Sequence, residues 1–355
     1  DATNALFITT PDGKGFINPR HRSYRGVFGF GGHASADALL RGMPDLVIAF
    51  GTGFGEFASA GWCTDLLNSR LVHVDVCEEN LMRSPMARLH VRGRILSVCA
   101  HLLERLGPDA GTNVVDLPDT GSELGHPHVA MQTPEQFDSD AVPIKPQRLM
   151  KELSRRFPPS TRFLADAGNS MTWAIHCLQP RNRRAARPAL RGAAPRADAR
   201  SGNASWLRVT MDFASMGWAI GAAIGVARGS PGCPVVCITG DGSYLMSGQE
   251  ITVAAAEGLT VVFVVLNDNA LGMVMHGQRM ARAEPIGFEL PEVDYRLMAL
   301  AMGIPGHVID SPADLDALDF DQILARKGPT MLDVRIDREE VPPMFQRLKS
   351  LGSIK

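Results

Sequence analysis

Two apolar runs, each followed by a loop of small and acidic residues, restrict the fold of this chain more than any other feature. Residues 234–239 lead into Gly-Asp-Gly-Ser, and residues 260–266 lead into Asn-Asp-Asn-Ala, with a helix predicted over 249–257 between them. Apolar runs of this length without alternation are typical of strands buried on both faces of a parallel sheet. A right-handed crossover then places both loops at the carboxyl edge of one sheet, where open α/β sheets bind ligands.

The same succession of apolar runs and helical segments occurs earlier in the chain. Residues 46–50 and 71–75 are further predicted strands, and a length of 355 residues favours two domains. Residues 118–146 are rich in Pro, Gly and polar residues without a sustained period, which is typical of a linker. We therefore predict two α/β/α three-layer domains with mainly parallel sheets, over residues 1–117 and 147–355, joined by a linker over 118–146.

Composition excludes several classes of protein. Lys and Arg number 36 against 38 Asp and Glu, so no nucleic-acid or anionic-membrane partner is expected. The longest apolar runs are far shorter than the ~20 residues that span a bilayer, and we see no basic leader followed by an apolar segment. The six cysteines include no Cys-x-x-Cys pair, which favours reduced packing residues. These features predict a soluble cytoplasmic protein.

Residues 180–201 form a basic, proline-interrupted segment. We interpret this segment as a mobile surface loop of the second domain. The alternative is a nucleic-acid-binding arm, but the segment lacks interleaved aromatic residues and a recognisable binding fold.

The chemistry of the chain is concentrated in the two loops. Asp241 and Asp268, one in each loop, are hard oxygen ligands that could converge on Mg²⁺. Gly240 and Gly242 allow backbone amides to approach an anion closely. Either loop alone is a common turn, but their pairing across one crossover predicts a site for a metal ion and a diphosphate.

The pattern also resembles the thiamine-diphosphate motif, in which Gly-Asp-Gly is followed after a fixed interval by Asn-Asn or Asn-Asp. Residues 240–246 and 271–275 are similar to the corresponding stretches of acetolactate synthase and its relatives. The resemblance covers most of the chain and extends to these segments: 8–15, 26–32, 71–75, 166–170 and 215–217.

The resemblance implies a set of site residues. Asp241 and Asp268 would be side-chain ligands of Mg²⁺, and Ala270 would be a backbone-carbonyl ligand. The diphosphate would be lined by Gly168, Asn169, Ser170, Gly242 and Ser243. Met216 would wedge the cofactor into its bent shape, the Ala214 carbonyl would accept from the 4′-amino group, Met246 would pack on the pyrimidine, and Met273 would face the substrate. With sixteen methionines in the chain, a role as core gap-filler is the alternative for each methionine.

In the resembled family, a preceding domain supplies the glutamate that activates the cofactor. Our sequence matches that family from inside its central domain onward, so the first domain is expected to be truncated at its start and the activating glutamate to lie outside this chain. The expected partners are a homo-oligomer, dimeric or tetrameric, and/or an upstream pyrimidine-binding chain. Gly277 replaces a pocket tryptophan of acetohydroxyacid synthases, and Gly53 and Ala34 replace arginines associated with flavin, which argues against FAD and against acetolactate as the product.

The implied activity is decarboxylation and/or carboligation of a 2-keto acid. The C2 carbanion of thiamine diphosphate adds to the keto group, CO₂ leaves, and the resulting enamine is protonated or adds to a second carbonyl. The alternative function is a non-catalytic cofactor-binding subunit or fragment, which needs a partner chain that carries the glutamate.

Overall fold

The computed structural model describes residue 3 and residues 5–106, 128–180 and 205–344. Helices and strands alternate, and every strand pair within the described residues is parallel. The predicted α/β class with mainly parallel sheets is confirmed. Residues 118–127 of the predicted linker and 181–201 of the predicted basic loop lie outside the described residues.

The first part of the chain carries two small sheets. Its elements are β1 (Phe7–Thr9), β2 (Tyr24–Val27), α1 (Ala34–Arg41), β3 (Val47–Phe50), β4 (Leu71–Asp75), α2 (Glu78–Met82), β5 (Leu89–Arg92) and α3 (Ile95–Leu106). Strand β1 pairs with β2, while β3, β4 and β5 form a separate sheet in that order. The prediction of strands buried on both faces is wrong for β3, in which Ile48 and Phe50 are 42% and 39% exposed. The helix α3, which follows β5, buries none of its residues.

The second part of the chain is built around one six-stranded sheet with the order β10-β11-β9-β8-β6-β7. Its elements are α4 (Pro146–Arg156), β6 (Arg162–Ala165), α5 (Asn169–Cys177), β7 (Leu207–Arg208), α6 (Trp218–Gly229), β8 (Val235–Gly240), α7 (Asp241–Ser247), α8 (Ile251–Ala256), β9 (Val261–Asn267), α9 (Gly272–Met280), α10 (Tyr295–Ala301), β10 (Gly306–Ile309), α11 (Pro312–Ala317), α12 (Phe320–Ala325) and β11 (Thr330–Arg335). Because β8 and β9 are neighbours, the predicted crossover between them is confirmed.

Alternate residues of the central strands feed two hydrophobic cores. On one face, Val236 and Val262 pack with α4 and α5, and on the other, Val235 and Val261 pack with α6 and α8. Every residue of β9 is buried. This two-sided burial explains why the apolar runs show no alternation, since each side chain meets a helix on its own face.

Residues 128–146, predicted as part of a linker, pack against the second part of the chain. Phe137, within a short 3-10 helix (Pro134–Asp138), lies in the core beside α4. Ile144 is fully buried and forms an isolated bridge with Ile336. The domain boundaries themselves stay predictions.

Lys14 joins the two parts of the chain. It lies in a 3-10 helix (Asp12–Phe16), is fully buried, and donates from Nζ to the carbonyl oxygens of Ala174 and Ile175 in the last turn of α5. A cation satisfies carbonyls that the end of a helix leaves without partners. Burial lowers the pKa of Lys14 to about 7.

Two stacked histidines extend this junction. The rings of His33 and His176 lie 4.3 Å apart, and His33 Nε2 donates to the His176 carbonyl at 3.0 Å. His176 Nδ1 donates to the Gly32 carbonyl at 3.0 Å, while Nε2 accepts from the Gln132 amide at 2.8 Å. His33 Nδ1 accepts from the Val27 amide at 3.0 Å, so each ring uses one nitrogen as a donor and the other as an acceptor, which is the neutral form. Burial lowers the pKa of His176 to about 4.

No helix in the described ranges is both long and apolar enough to cross a bilayer. All six cysteines are free thiols, and Cys177 and Cys237 are buried, as expected for reduced packing residues.

Candidate cofactor site

Two loops meet at the carboxyl edge of the six-stranded sheet, where β8 ends at Gly240 and β9 ends at Asn267. The helix predicted over 249–257 is confirmed as a 3-10 turn (Gly248–Glu250) that continues into α8, but an additional helix, α7, was not predicted and begins at Asp241, within the motif itself. Gly240 is extended, and the Asp241 carboxylate accepts from the Gly242 amide at 2.7 Å. That bond satisfies one of the amides that the first turn of a helix leaves without a partner.

The structure brings the three predicted metal ligands together. Asp241 Oδ2 accepts from the amides of Asp268 and Ala270, both at 3.3 Å, and Asp268 Oδ1 accepts from the Ala270 amide at 3.1 Å. Asn269 lies between them with a φ of 53°, a left-handed conformation that asparagine tolerates better than most residues. This residue turns the loop back on itself.

The two carboxylates are held in an environment that opposes their negative charge. Asp241 is only 2% exposed. Burial raises the pKa of Asp241, and burial together with the nearby Asp241 raises the pKa of Asp268. A divalent cation between the two groups would compensate both charges.

The oxygen ligands at this edge fit a magnesium ion that is also coordinated by phosphate oxygens. Among the residues that the structure describes, no group of three or more His, Cys, Asp or Glu side chains is arranged to hold a metal ion. The chain therefore offers two carboxylates and backbone oxygen at this edge. Mg²⁺ is commonly bound through one or two carboxylates, with water and phosphate oxygens completing its six ligands.

The predicted diphosphate loop lies beside the predicted metal ligands. A Cβ atom built on Gly272 would lie 2.5 Å from Asn169 Nδ2 and 3.1 Å from Asp268 Oδ2, so these two side chains converge on one glycine. Asn169 Oδ1 is buried without a hydrogen-bond partner, as expected of a group that awaits a ligand. Gly168 has a φ of 109°, which favours glycine. The Ser170 hydroxyl donates to the Asp166 carbonyl at 2.8 Å, within its own loop.

The predicted wedge residue also reaches this edge. A Cβ atom built on Gly242 would lie 3.5 Å from Met216 Cε, so the tip of Met216 lies close to the Gly-Asp-Gly turn. Ala214 and Gly217 have φ values of 51° and 86°, which bend the backbone on both sides of Met216. Ser243 Oγ donates to the Ala167 carbonyl at 3.3 Å, which connects α7 to the diphosphate loop.

The two other predicted methionines differ in burial. Met246 is 56% exposed on α7, so its side chain is accessible to a ligand. Met273 is partly buried and packs against the core beside α5, which is how a gap-filling methionine behaves. Their proposed roles toward the cofactor and the substrate stay predictions.

Sequence reasoning missed two charged residues at the site. Asp166 directly follows β6 and is fully buried, with a carboxylate that accepts hydrogen bonds from three segments. Arg338 donates from Nη2 to the Asn269 carbonyl at 3.2 Å, and its charge opposes the rise in the pKa of Asp268. An acidic residue that ends a predicted strand was the available signal for Asp166. Nothing in the local pattern marked Arg338.

Comparison with known proteins agrees with this arrangement. Residues 193–334 match the model of the thiamine pyrophosphate enzyme C-terminal TPP binding domain, and residues 1–102 match the thiamine pyrophosphate enzyme central domain. The chain belongs to the thiamine pyrophosphate enzyme family. The resemblance predicted from the two loops is thereby confirmed.

Similar members of the thiamine pyrophosphate enzyme family are named as acetolactate synthases. The chain is 31% identical to a putative acetolactate synthase large subunit of Mycobacterium tuberculosis, over 94% of this chain and 55% of that protein. It is 25% identical to an acetolactate synthase large subunit of Cyanidium caldarium, over 94% of this chain and 53% of that protein. It is 26% identical to the large subunit of acetolactate synthase isozyme 2 of Escherichia coli, over 96% of this chain and 58% of that protein. The chain spans about half the length of the curated relatives it matches.

Proposed function

We propose that this chain binds thiamine diphosphate through Mg²⁺ and serves in decarboxylation and/or carboligation of a 2-keto acid. The observation that carries the proposal is the pairing of Asp241 and Asp268 at the carboxyl edge of the sheet, beside the unpartnered Asn169 Oδ1. Membership of the thiamine pyrophosphate enzyme family supports the identity of the cofactor.

Each segment of the edge has a distinct part in this proposal. Asp241, Asp268 and the Ala270 carbonyl would hold the cation, and the amides and side chains around Asn169 and Gly242 would hold the diphosphate. When bound, thiamine diphosphate supplies the carbanion that attacks the keto group and accepts the electrons released with CO₂. The chain's own contribution is to orient the cofactor, with Met216 lying against the Gly-Asp-Gly turn.

A second candidate is a non-catalytic subunit or fragment that binds the cofactor and requires a partner chain. This alternative rests on the resemblance, which implies that the activating glutamate lies in a domain other than the two that this chain matches. Under both proposals the glutamate comes from outside the described residues. The homo-oligomeric state and the cytoplasmic location stay predictions.

The surroundings of Gly53 bear on the expectation that the chain does not bind FAD. Gly53 replaces an arginine associated with flavin in related enzymes, and its carbonyl accepts from Arg83 Nη1 at 3.0 Å. A Cβ atom built on Gly53 would lie 3.0 Å from Asn80 Oδ1, so a larger side chain would require its neighbours to move. We propose that the first domain does not use FAD.

The metal-bridge proposal is tested by calorimetric titration of the 355-residue chain with thiamine diphosphate, in Mg²⁺ and in chelator. We expect binding in Mg²⁺ only, because the diphosphate and the two carboxylates otherwise repel each other. Asp241→Ala should weaken binding by about 100-fold or more, and Asp268→Asn by less because asparagine keeps an oxygen ligand. Asp316→Asn, which removes a carboxylate exposed on α11, is the control. Equal affinity with and without Mg²⁺ would exclude the metal bridge.

The two candidate functions are separated by the exchange of the C2 proton of bound thiamine diphosphate, followed by NMR. A positioned acid–base group typically contributes ~10²–10⁴-fold to such a step. We expect slow exchange with this chain alone and fast exchange after addition of the pyrimidine-binding polypeptide. Fast exchange with the chain alone would refute the need for a partner. It would indicate that a carboxylate of this chain, Glu250 or Glu257, reaches the pyrimidine.

A further inference from the structure

Asp166 lies at the centre of the candidate site without facing its open edge. The residue is fully buried, and each carboxylate oxygen accepts two hydrogen bonds. Oδ1 accepts from the amides of Ala167 at 3.1 Å and Ala219 at 3.3 Å. Oδ2 accepts from the Gly217 amide and the Thr239 hydroxyl, both at 3.0 Å.

These four donors belong to the three segments that form the site. Ala167 begins the diphosphate loop, and Thr239 directly precedes the Gly-Asp-Gly turn. Gly217 directly follows Met216 and is the N-cap of α6, and Ala219 lies in the first turn of that helix. A single carboxylate therefore connects the proposed diphosphate, metal and wedge segments.

We propose that Asp166 is a positioning residue that holds the Met216 segment, residues 214–217, at a fixed distance from the diphosphate and metal loops. This inference rests on the proposed function, because it assigns that distance to the recognition of the whole cofactor. A ligand that contacts only the diphosphate and metal loops does not need the Met216 segment. Thiamine diphosphate, which extends beyond its diphosphate, does need it.

The position of Asp166 requires a side chain that accepts hydrogen bonds at both of its terminal atoms. A carboxylate is an acceptor at both oxygens, whereas an asparagine amide accepts at one position and donates at the other. In Asp166→Asn, the orientation that loses fewer bonds keeps the oxygen on Ala167 and Ala219. The NH₂ group then faces Thr239, whose hydroxyl can rotate to accept, and the Gly217 amide, which cannot. The substitution thus releases the Met216 segment selectively.

The test compares the affinities of thiamine diphosphate and inorganic pyrophosphate, each with Mg²⁺, by calorimetry. Pyrophosphate reports on the diphosphate and metal loops alone. Loss of one hydrogen bond to a charged group predicts that Asp166→Asn weakens thiamine diphosphate binding ~10-fold or more beyond any change for pyrophosphate. An equal change for both ligands, or no change for either, would overturn the proposal.

Amide hydrogen exchange of the unliganded protein provides the second measurement. In Asp166→Asn, the amide of Gly217 should exchange faster than in the parent chain, because it loses its acceptor while the amide of Ala219 keeps one, and unchanged exchange at Gly217 would overturn the proposal. Because this measurement needs no cofactor, it decides the positioning role even if the parent chain fails to bind thiamine diphosphate, a result that would refute the proposed function instead.

Two further variants guard against a general loss of stability. Glu152→Gln changes another buried carboxylate, which pairs with arginines on α4 away from the site, and should leave the ratio of the two affinities unchanged. If Asp166→Asn does not fold, Thr239→Val removes one of the four bonds and should change the ratio in the same direction, ~3-fold. An unchanged ratio in a folded Thr239→Val protein would then overturn the proposal.

Discussion

Acidification should destabilise the junction between the two parts of the chain through His176. The side chain is 2% exposed and neutral, with Nδ1 donating to Gly32 and Nε2 accepting from Gln132. Burial, together with the nearby charge of Lys14, lowers its pKa from 6.5 to about 4. Protonation would place a proton on Nε2, which is the acceptor, so the folded protein resists it.

The sign and size of the effect follow from proton linkage. Between pH 6.5 and about 4, His176 is protonated in the unfolded chain and neutral in the folded protein, so the free energy of unfolding falls as the pH falls. Each pH unit in that window costs 1.36 kcal/mol, which gives about 2 kcal/mol between pH 6.5 and 5. The full contribution is present above pH 6.5. The pKa of His33 is lowered for the same reasons, and acts in the same direction.

The assay is denaturant unfolding of the parent chain and of His176→Gln at pH 7 and pH 5. Between these two pH values the parent should lose about 2 kcal/mol more than the variant. His101→Gln serves as the matched control, since it makes the same substitution at a side chain that is 79% exposed on α3. Parallel pH profiles for the parent chain and His176→Gln would show that His176 is not held neutral, and would refute the reasoning.

Two matched pairs of substitutions test local features of the fold by the midpoint of chemical unfolding. Tyr244→Phe should be neutral or stabilising, because the buried Tyr244 hydroxyl has no hydrogen-bond partner. Tyr24→Phe should lower the free energy of unfolding by about 1–2 kcal/mol, because the Tyr24 hydroxyl is hydrogen-bonded at 3.0 Å to a buried threonine. A larger loss for Tyr244→Phe would contradict this reading. Gly15→Ala should lower the free energy of unfolding by more than about 2 kcal/mol, since the added Cβ would lie 2.0 Å from Ser205 Oγ and closer than 3 Å to backbone atoms. Gly221→Ala should stabilise α6 by up to about 1 kcal/mol, since no atom lies within 4 Å of the added Cβ. Similar midpoints for the two glycine variants would refute the predicted clash.

Much of the second sheet could be predicted from the sequence because burial on both faces leaves an unambiguous pattern. Strands β8 and β9 were predicted within one residue of their observed bounds, and the crossover between them followed from general rules of chain handedness. The start of α7 was missed because glycine and aspartate are read as turn residues, while here they begin a helix. The separate sheets of the first part were missed because an apolar run such as β3 does not reveal whether a helix covers it.

The site could be predicted only where its residues lie within short sequence motifs. Asp241 and Asp268 are marked by two short motifs, and the structure brings them within hydrogen-bonding distance of one loop. Asp166 depends on donors 51, 53 and 73 positions away, and Lys14 depends on carbonyls 160 and 161 positions away. Such pairings are set by how helices and strands pack, and no local pattern in a single sequence records them.

The attachment of α5 at both ends has a consequence for dissecting the protein. Its first residue, Asn169, lies beside the metal loop. At the other end, carbonyl oxygens of the last turn accept from Lys14, and His176 donates to the carbonyl oxygens of the Gly31–Gly32 turn in the first part of the chain. Cutting the chain between the two parts would leave carbonyls and a neutral imidazole of α5 without the donors and acceptors that they have in the intact protein. We therefore expect the two parts to unfold cooperatively as one thermodynamic unit, and we expect any autonomous fragment that retains the cofactor edge to need the residues around Lys14 and His33.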